Sequence, residues 1–225
     1  MKHPRSYQRR SASANRSDYE PLFIRRVHDL SKWGYDRLCA SAYATEEETD
    51  ITGDLAEAIE NILDYPNEDW MWHYTVYDDP PINESITATR RKGKRRRRVD
   101  IKLTSANVSP RTHFCFEAKR LGKGNPVSRY LGTKGLGCFL SGSYAGAEQQ
   151  GGMLGYVQSD DEQTWAAKID KELVSSPKSF GLQTKRNHFR LYQISAQLHH
   201  TYVSEHRRTT DGKRFHIYHS FLIFH

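Results

Sequence analysis

The chain has 225 residues, a net charge of +7 and 36% hydrophobic residues, which is enough apolar material to bury the core of one ordinary domain. This composition excludes a wholly disordered chain, and the lack of any run of about 18 apolar residues excludes a predicted membrane span. Because no apolar signal segment is recognisable either, the sequence predicts a cytoplasmic protein that does not engage a membrane. The cysteines Cys39, Cys115 and Cys138 are too few and too widely spaced for a disulfide frame or a zinc site.

Acidic and basic residues are segregated along the chain. Residues 45–84 contain 13 Asp or Glu and no Lys or Arg, whereas residues 85–225 contain 25 basic and 10 acidic residues. A merely solvated surface would ordinarily mix the two signs. A basic surplus of this size is typical of proteins that bind a polyanion, because each neutralised phosphate releases condensed counterions. The sequence therefore predicts a nucleic-acid partner.

The first elements in chain order are a basic arm and two helices. Residues 1–18 carry too little apolar surface to offset the entropy of ordering, so we expect a flexible arm followed by a single domain over residues 19–225. Apolar spacing predicts a packing helix over residues 21–33. A second helix is predicted over residues 45–63, where Thr45-Glu46-Glu47-Glu48 has the pattern of a capping box.

The later elements alternate between strands and helices. Runs of aromatic and β-branched residues bounded by turn residues predict strands, and apolar residues spaced three or four apart predict helices. The predicted strands cover residues 70–77, 99–103, 113–119 and 152–157, the predicted helices cover residues 126–144 and 161–174, and a C-terminal hairpin covers residues 200–206 and 214–224.

Two of the predicted strands, at residues 99–103 and 113–119, carry charged side chains. Glu117 and Lys119 are two positions apart, so both point to one face of a strand, and Asp100 on the neighbouring strand can join them. The residues just before Glu117 are apolar, and charge at the end of a buried segment is costly unless it is paired or used. A cross-strand salt bridge on a solvated face is the alternative interpretation.

The spacing of these residues resembles the signature of the PD-(D/E)XK, or restriction-endonuclease-like, nuclease superfamily. The matching residues are Val99-Asp100, sixteen intervening residues and Glu117-Ala118-Lys119, with Val99 at the position of the family's proline. The resemblance implies an α/β fold with a restriction-endonuclease-like core over residues 51–157, in which helices flank a mixed central sheet. It makes Asp100, Glu117 and the carbonyl of Ala118 ligands of Mg²⁺ or Mn²⁺. It makes Lys119 the residue that positions or activates the attacking water and stabilises the pentacovalent phosphate.

Members of this superfamily often place a further glutamate on the preceding helix. The segment Gly53-Asp54-Leu55-Ala56-Glu57 offers Glu57 for this catalytic role, and Asp54, Glu60 and Glu48 remain open as alternatives. Oxygen ligands of this kind suit Mg²⁺, which is typically held by one or two carboxylates together with waters and substrate phosphate.

Basic residues beside the predicted site are expected to contact substrate phosphates. Residues 90–98 hold eight cations in nine positions and lead directly into the strand of Asp100. The predicted nucleic-acid contacts are Arg95, Arg96, Arg97, Arg98, Arg120 and Lys123. A solvated loop is the alternative for the run. Residues 132–144 mark either close backbone packing or a phosphate-binding loop, but they lack the G-x-x-x-x-G-K-[ST] pattern of an ATP site.

The combined prediction is a divalent-metal-dependent endonuclease that hydrolyses phosphodiester bonds, with double-stranded DNA as the expected substrate. The resemblance also implies a use in restriction or antiviral defence. Symmetric cleavage of a duplex would suggest a homodimer, and a partner protein that targets or activates the chain is the alternative expectation. Two alternatives stay open, namely a non-catalytic nucleic-acid-binding module that keeps the nuclease fold, and a ribonuclease.

Overall fold

The computed structural model describes residues 16–82, 93–182 and 188–225. Most of the predicted arm and the start of the basic run, up to residue 92, lie outside the described residues. The helices are α1 (Arg16–Asp36), α2 (Glu48–Asp64), α3 (Val127–Leu131), α4 (Leu136–Leu140) and α5 (Glu162–Ser175). The strands are β1 (Tyr74–Asp78), β2 (Ile101–Ser105), β3 (Thr112–Leu121), β4 (Gln150–Val157), β5 (Phe189–Leu191), β6 (Thr201–Arg207) and β7 (Arg214–Ile223). No helix in these ranges has both the length and the apolar character needed to cross a bilayer.

The strands form one seven-stranded sheet in the order β1-β2-β3-β4-β7-β6-β5. The central strands β3, β4 and β7 run parallel to one another, and antiparallel strands extend the sheet on both sides. The predicted α/β class, with a mixed central sheet flanked by helices, is thereby confirmed. The predicted C-terminal hairpin is also present, as β6 and β7.

Each face of the sheet covers its own hydrophobic core, because successive strand residues point to opposite faces. Phe114 and Phe116 of β3 pack with α1 and α2, whereas Cys115 and Leu121 pack with α3, α4 and α5. The neighbouring strand β4 leaves room for these rings, since a Cβ on Gly152 would lie only 2.3 Å from Phe116 Cδ1. Any larger residue at Gly152 would push the rings of β3 out of place.

The helix predicted over residues 126–144 is replaced by two short helices, α3 and α4. The turn between them brings the backbone close to itself, so that a Cβ on Gly135 would lie 2.1 Å from the carbonyl oxygen of Tyr130. The apolar spacing persists through this segment and so predicts a continuous helix. The glycines instead let two stretches of backbone approach more closely than they do in a helix, and the chain turns there.

Other boundaries shift by a few residues. Asp69–His73 forms a 3-10 turn ahead of β1, and Asp100 directly precedes β2 rather than lying within it. The capping-box prediction is wrong, since α2 begins at Glu48 and its N-cap residue, Glu47, makes no side-chain cap hydrogen bond. The short strand β5 was not predicted, because three largely exposed residues carry no clear pattern.

Candidate active site

The candidate site lies where β2 begins beside β3. Alternation along β3 places Glu117 and Lys119 on the same face as Cys115 and Leu121, towards α3, α4 and α5. Asp100 is held against β3 because the backbone N–H of Ala118 donates to Asp100 Oδ2 at 2.6 Å. Asp100, Glu117 and Lys119 therefore meet as the sequence predicted.

The ammonium group of Lys119 lies among three carboxylates. Its Nζ is 2.7 Å from Glu48 Oε1, 2.8 Å from Glu117 Oε1 and 4.0 Å from Asp100 Oδ2. It also donates to the carbonyl oxygen of Ala118 at 2.5 Å. The side chain of Lys119 is only 12% exposed, and that of Glu117 only 5%. The cluster is thus a largely buried ion network and not a pair on a solvated face.

Burial and mutual repulsion shift the proton affinities in this cluster. Burial raises the pKa of Glu117 to about 8, the charge of Asp100 adds to the rise, and Lys119 opposes it. Burial also raises the pKa of Asp100, against the attraction of Lys119. Burial by itself would lower the pKa of Lys119, but Glu117, Glu48 and Asp100 together raise it above its ordinary value. Negative charge is therefore costly here unless another cation shares it.

The carboxylates meet the chemical requirements of a divalent cation. Glu117 Oε2 is buried and accepts no hydrogen bond from the described residues, although Oε1 faces Lys119. Across residues 16–82, 93–182 and 188–225, no three His, Cys, Asp or Glu side chains are grouped so as to hold a metal ion by themselves. Mg²⁺ needs fewer protein ligands than that, since one or two carboxylates together with waters and substrate phosphate typically hold it. Glu117 and Asp100 supply oxygen ligands of the kind that such an ion takes.

A cleft of about 870 Å³ opens above Glu117 and Lys119. Its other lining residues are Glu48, Arg97, Arg98, Ser128, Arg129, Gly132, Thr133, Lys134, Cys138 and Tyr144. The Tyr144 hydroxyl donates to the Arg98 carbonyl at 2.5 Å and so joins the segment after α4 to the segment before β2. The cleft combines a carboxylate floor with cationic side chains, and it is large enough to admit part of a nucleic-acid strand.

The helix carboxylate at the site is Glu48 and not Glu57. Nine residues separate them, which is about two and a half helical turns, so Glu57 projects from the opposite face of α2. Glu57 is exposed and lines a different groove together with Asp54 and Glu60. Glu48, one of the open alternatives, binds Lys119 and also accepts from the backbone N–H of Arg120 at 3.3 Å. The expectation that Glu57 joins the cluster is therefore wrong in position, since Glu48 is the α2 glutamate that contacts Lys119.

The predicted nucleic-acid contacts divide into two groups. Arg97 and Arg98 line the cleft. Arg95 and Lys123 are exposed, Arg96 is half-buried, and none of these three is a lining residue of the cleft. Arg120 is engaged elsewhere, because its Nη2 lies 2.7 Å from Glu47 Oε2. Only the end of the basic run therefore reaches the site in the described part of the chain.

Several polar residues that line the cleft were not predicted as site residues, among them Ser128, Arg129, Thr133, Lys134 and Tyr144. Those before Tyr144 lie in α3 or in the glycine-rich turn that follows it, and Tyr144 lies after α4. A basic residue before this turn and another inside it are compatible with a phosphate-binding loop. Because residues 132–144 lack the G-x-x-x-x-G-K-[ST] pattern, the sequence alone does not identify this turn as a phosphate-binding loop.

Comparison with known proteins gives no match: no family model fits the chain, and neither a curated protein nor a solved structure was found to be similar to it. The function is therefore inferred from the residues and geometry of this chain.

Proposed function

We propose that this chain is a divalent-metal-dependent endonuclease with a restriction-endonuclease-like core. The observation that carries the proposal is the group of three carboxylates around the buried ammonium of Lys119, at the floor of a cleft lined by cations. A salt bridge that served only stability would not require Glu117 to be buried with one carboxylate oxygen that accepts no hydrogen bond from the described part of the chain. Such costly groups cluster at functional sites.

Asp100 and Glu117, with the carbonyl of Ala118, are the residues that would hold Mg²⁺ or Mn²⁺. When bound there, the ion would lower the pKa of a water molecule and neutralise charge that develops on the phosphate. The protein prepares this pair through the hydrogen bond from Ala118 to Asp100, which fixes one carboxylate beside the strand that carries the other.

Lys119 supplies fixed positive charge in this proposal. Because the surrounding carboxylates raise its pKa, the ammonium keeps its proton and cannot accept one from the attacking water. It instead donates to that water or to a phosphate oxygen and stabilises the charge that builds up on the phosphate. Glu48 orients Lys119 for this task through the contact of 2.7 Å.

The substrate in this proposal is nucleic acid, and the basic surplus of residues 85–225 supports DNA and RNA equally. Double-stranded DNA is the first expectation because of the nuclease resemblance. Restriction or antiviral defence, a homodimer and a targeting or activating partner belong to the same proposal.

One observation favours a second candidate, a non-catalytic nucleic-acid-binding module. Lys119 already pairs with Glu48 and Glu117, so the cluster could serve as a structural ion network without turnover. The two candidates differ in metal binding, which the nuclease requires and the module does not.

The test is cleavage of supercoiled plasmid, linear duplex, single-stranded DNA and RNA with Mg²⁺ or Mn²⁺, comparing the wild type with Asp100→Ala and Lys119→Ala. We expect metal-dependent cleavage by the wild type, loss of cleavage in both variants, and retained substrate binding by Lys119→Ala. Mn²⁺ binding, followed by calorimetry, should be lost in Asp100→Ala. A wild type that binds nucleic acid but neither binds metal nor cleaves any substrate would support the module and contradict the nuclease.

A further inference from the structure

A second group of side chains lines the cleft beside the carboxylate cluster. It consists of Arg129 on α3, Lys134 in the turn between α3 and α4, and Arg97 ahead of β2. We propose that these three cations form a subsite for a phosphate group of a nucleic-acid strand, next to the phosphate that is cleaved. The inference rests on the proposed nuclease function and adds which residues hold the strand.

The charge of the cleft floor shows why such a subsite is needed. Glu48, Asp100 and Glu117 surround a single ammonium, that of Lys119, so the ion cluster beside the cleft carries more acidic groups than basic ones. An approaching phosphate would be repelled by that excess. Attraction has to come from the other cationic residues that line the cleft, where the low dielectric of a concave surface strengthens their field.

Among the described residues, these three cations differ from the other cations that line the cleft, Arg98 and Lys119, in having no acidic partner. Arg98 pairs with Asp79, and Arg120 pairs with Glu47. Arg97, Arg129 and Lys134 form no ion pair with any residue in the described ranges. Their charges are therefore available to a ligand in the cleft.

Neutral partners orient the two guanidinium groups. Arg129 Nη1 donates to Asn125 Oδ1 at 2.9 Å, and Asn125 is itself buried. Arg97 Nη1 donates to the hydroxyl of Ser143. An amide and a hydroxyl fix the direction of each side chain without cancelling its charge, and this is the arrangement that a charge-assisted contact to phosphate requires.

The turn that carries Lys134 is held by close backbone contacts. A Cβ on Gly132 would lie 2.5 Å from the carbonyl oxygen of Ser128, and one on Gly137 would lie 2.8 Å from the carbonyl oxygen of Gly132. The Cys138 thiol donates to the carbonyl of Thr133 at 3.2 Å and fastens the turn to α4. Lys134 thus projects from a compact turn beside the cleft.

The ligand class follows from the donors. Two planar guanidinium groups, an ammonium, and the hydroxyls of Ser128 and Thr133 are donors that suit the oxygens of a phosphate. A nucleic-acid strand offers this group in two forms, as an internal phosphodiester and as a terminal phosphate, and the experiment includes both.

The test measures binding without metal, so that it does not depend on turnover. Fluorescence anisotropy of labelled oligonucleotides of about 20 nucleotides, single-stranded and duplex, with a 5′-hydroxyl or a 5′-phosphate, is followed from about 50 to 300 mM KCl with EDTA present. The full chain is compared with Arg129→Gln/Lys134→Gln. The control is Lys171→Gln/Lys178→Gln, which removes the same charge from residues that do not line the cleft.

We expect the cleft variant to lower the slope of log Kd against log salt by about 0.9 for each duplex phosphate that it no longer neutralises, or about 0.7 for a single strand, while the control keeps the wild-type slope. An equal decrease with either 5′ end identifies an internal phosphodiester, and a decrease confined to the 5′-phosphate identifies a terminal one. An unchanged slope in a folded cleft variant, an equal change in the control, or no binding by the wild type overturns the subsite. Altered binding by a protein that neither binds metal nor cleaves would overturn the nuclease and leave the subsite standing.

Discussion

Two neighbouring surface clefts are both lined by Arg98 but differ in the solvation of their carboxylates. The candidate active site places Asp100, Glu117 and Glu48 around Lys119. The other depression, which we call the acidic groove, has a volume of about 810 Å³ and contains the carboxylates of Asp54, Glu57, Glu60 and Asp78. The acidic groove has one more carboxylate than the cluster around Lys119, and among the described residues Arg98 is the one cation that lines it.

The difference between them lies in solvation. All four carboxylates of the acidic groove belong to exposed residues, so water stabilises their charge, although partial burial and the neighbouring Asp79 raise the pKa of Asp78. Glu117 is buried, has a raised pKa and keeps one oxygen without a hydrogen bond from the described residues. A carboxylate that is expensive to ionise benefits most from a bound cation. Burial and a fixed ammonium, rather than the number of acidic residues, therefore distinguish a candidate catalytic centre from an acidic surface.

The largest expected difference between the two regions concerns Asp100 and Asp78, one beside each depression. Asp100→Asn should reduce metal-dependent cleavage by about 10³-fold or more, since metal stabilisation of the transition state is worth several kcal/mol and about 1.36 kcal/mol corresponds to tenfold. Asp78→Asn, at the end of β1, should cleave at the wild-type rate. Initial rates with saturating Mg²⁺ measure both. Similar losses in the two variants would place the metal outside the cluster.

The next expected effect is on stability. The carboxyl of Glu117 has a pKa of about 8 in the folded chain against an ordinary value of 4.5, so its ionisation opposes folding. The penalty is absent below about pH 4.5, grows as the pH rises to about 8, and is constant above it. Glu117→Gln should therefore unfold with a free energy higher by on the order of 2 to 4 kcal/mol at pH 9, while losing cleavage.

Urea unfolding of Glu117→Gln and wild type at about pH 5 and about pH 9 measures this difference. The exposed Glu60→Gln is the control and should change stability at neither pH. A variant that is less stable than the wild type at pH 9 would mean that the ion pair with Lys119 outweighs the burial of the carboxylate.

The acidic and basic residues of β3 could be predicted because their placement depends on local alternation. Glu117 and Lys119 share a face of one strand, and the adjacent strand brings in Asp100, so a short sequence pattern was sufficient. The contact between Glu48 and Lys119 depends on how the start of α2 packs against β3, and no local sequence pattern predicts that packing. The spacing of Glu48 from Thr45 is that of a capping box. Glu57, which follows Gly53 by four residues, matches the position of the helix glutamate in the PD-(D/E)XK superfamily that the chain resembles.

The helical wall of the cleft was mispredicted for a similar reason. Apolar periodicity predicts one continuous helix, whereas Gly132, Gly135 and Gly137 allow the backbone to contact itself and turn. Whether glycine marks flexibility or close packing is decided by the atoms that surround it in the folded chain. The positions of Arg129 and Lys134 follow from that turn and could not be predicted without it.

A smaller effect is expected from the two glutamates of α2. Glu48→Gln should reduce cleavage by about tenfold, because Lys119 loses one carboxylate that orients it but keeps Glu117 and Asp100. Glu57→Gln, on the opposite face of the same helix, should retain wild-type cleavage. Comparison of kcat and KM separates the roles, since loss of orientation lowers kcat and leaves KM near its wild-type value. A larger decrease in Glu57→Gln would return Glu57 to the catalytic set.

The smallest effect concerns the electrostatic field of the acidic groove. Its carboxylates repel phosphate, but water and salt screen them within a Debye length of about 10 Å at 0.1 M ionic strength. Glu57→Gln/Glu60→Gln should therefore tighten oligonucleotide binding only about twofold at about 50 mM KCl and not measurably at about 200 mM. Anisotropy titrations at both concentrations test this. A gain that persists at the higher salt concentration would mean that nucleic acid lies across the groove itself, so that the strand leaves the cleft over Arg98 towards α2 and β1 instead of over Lys134.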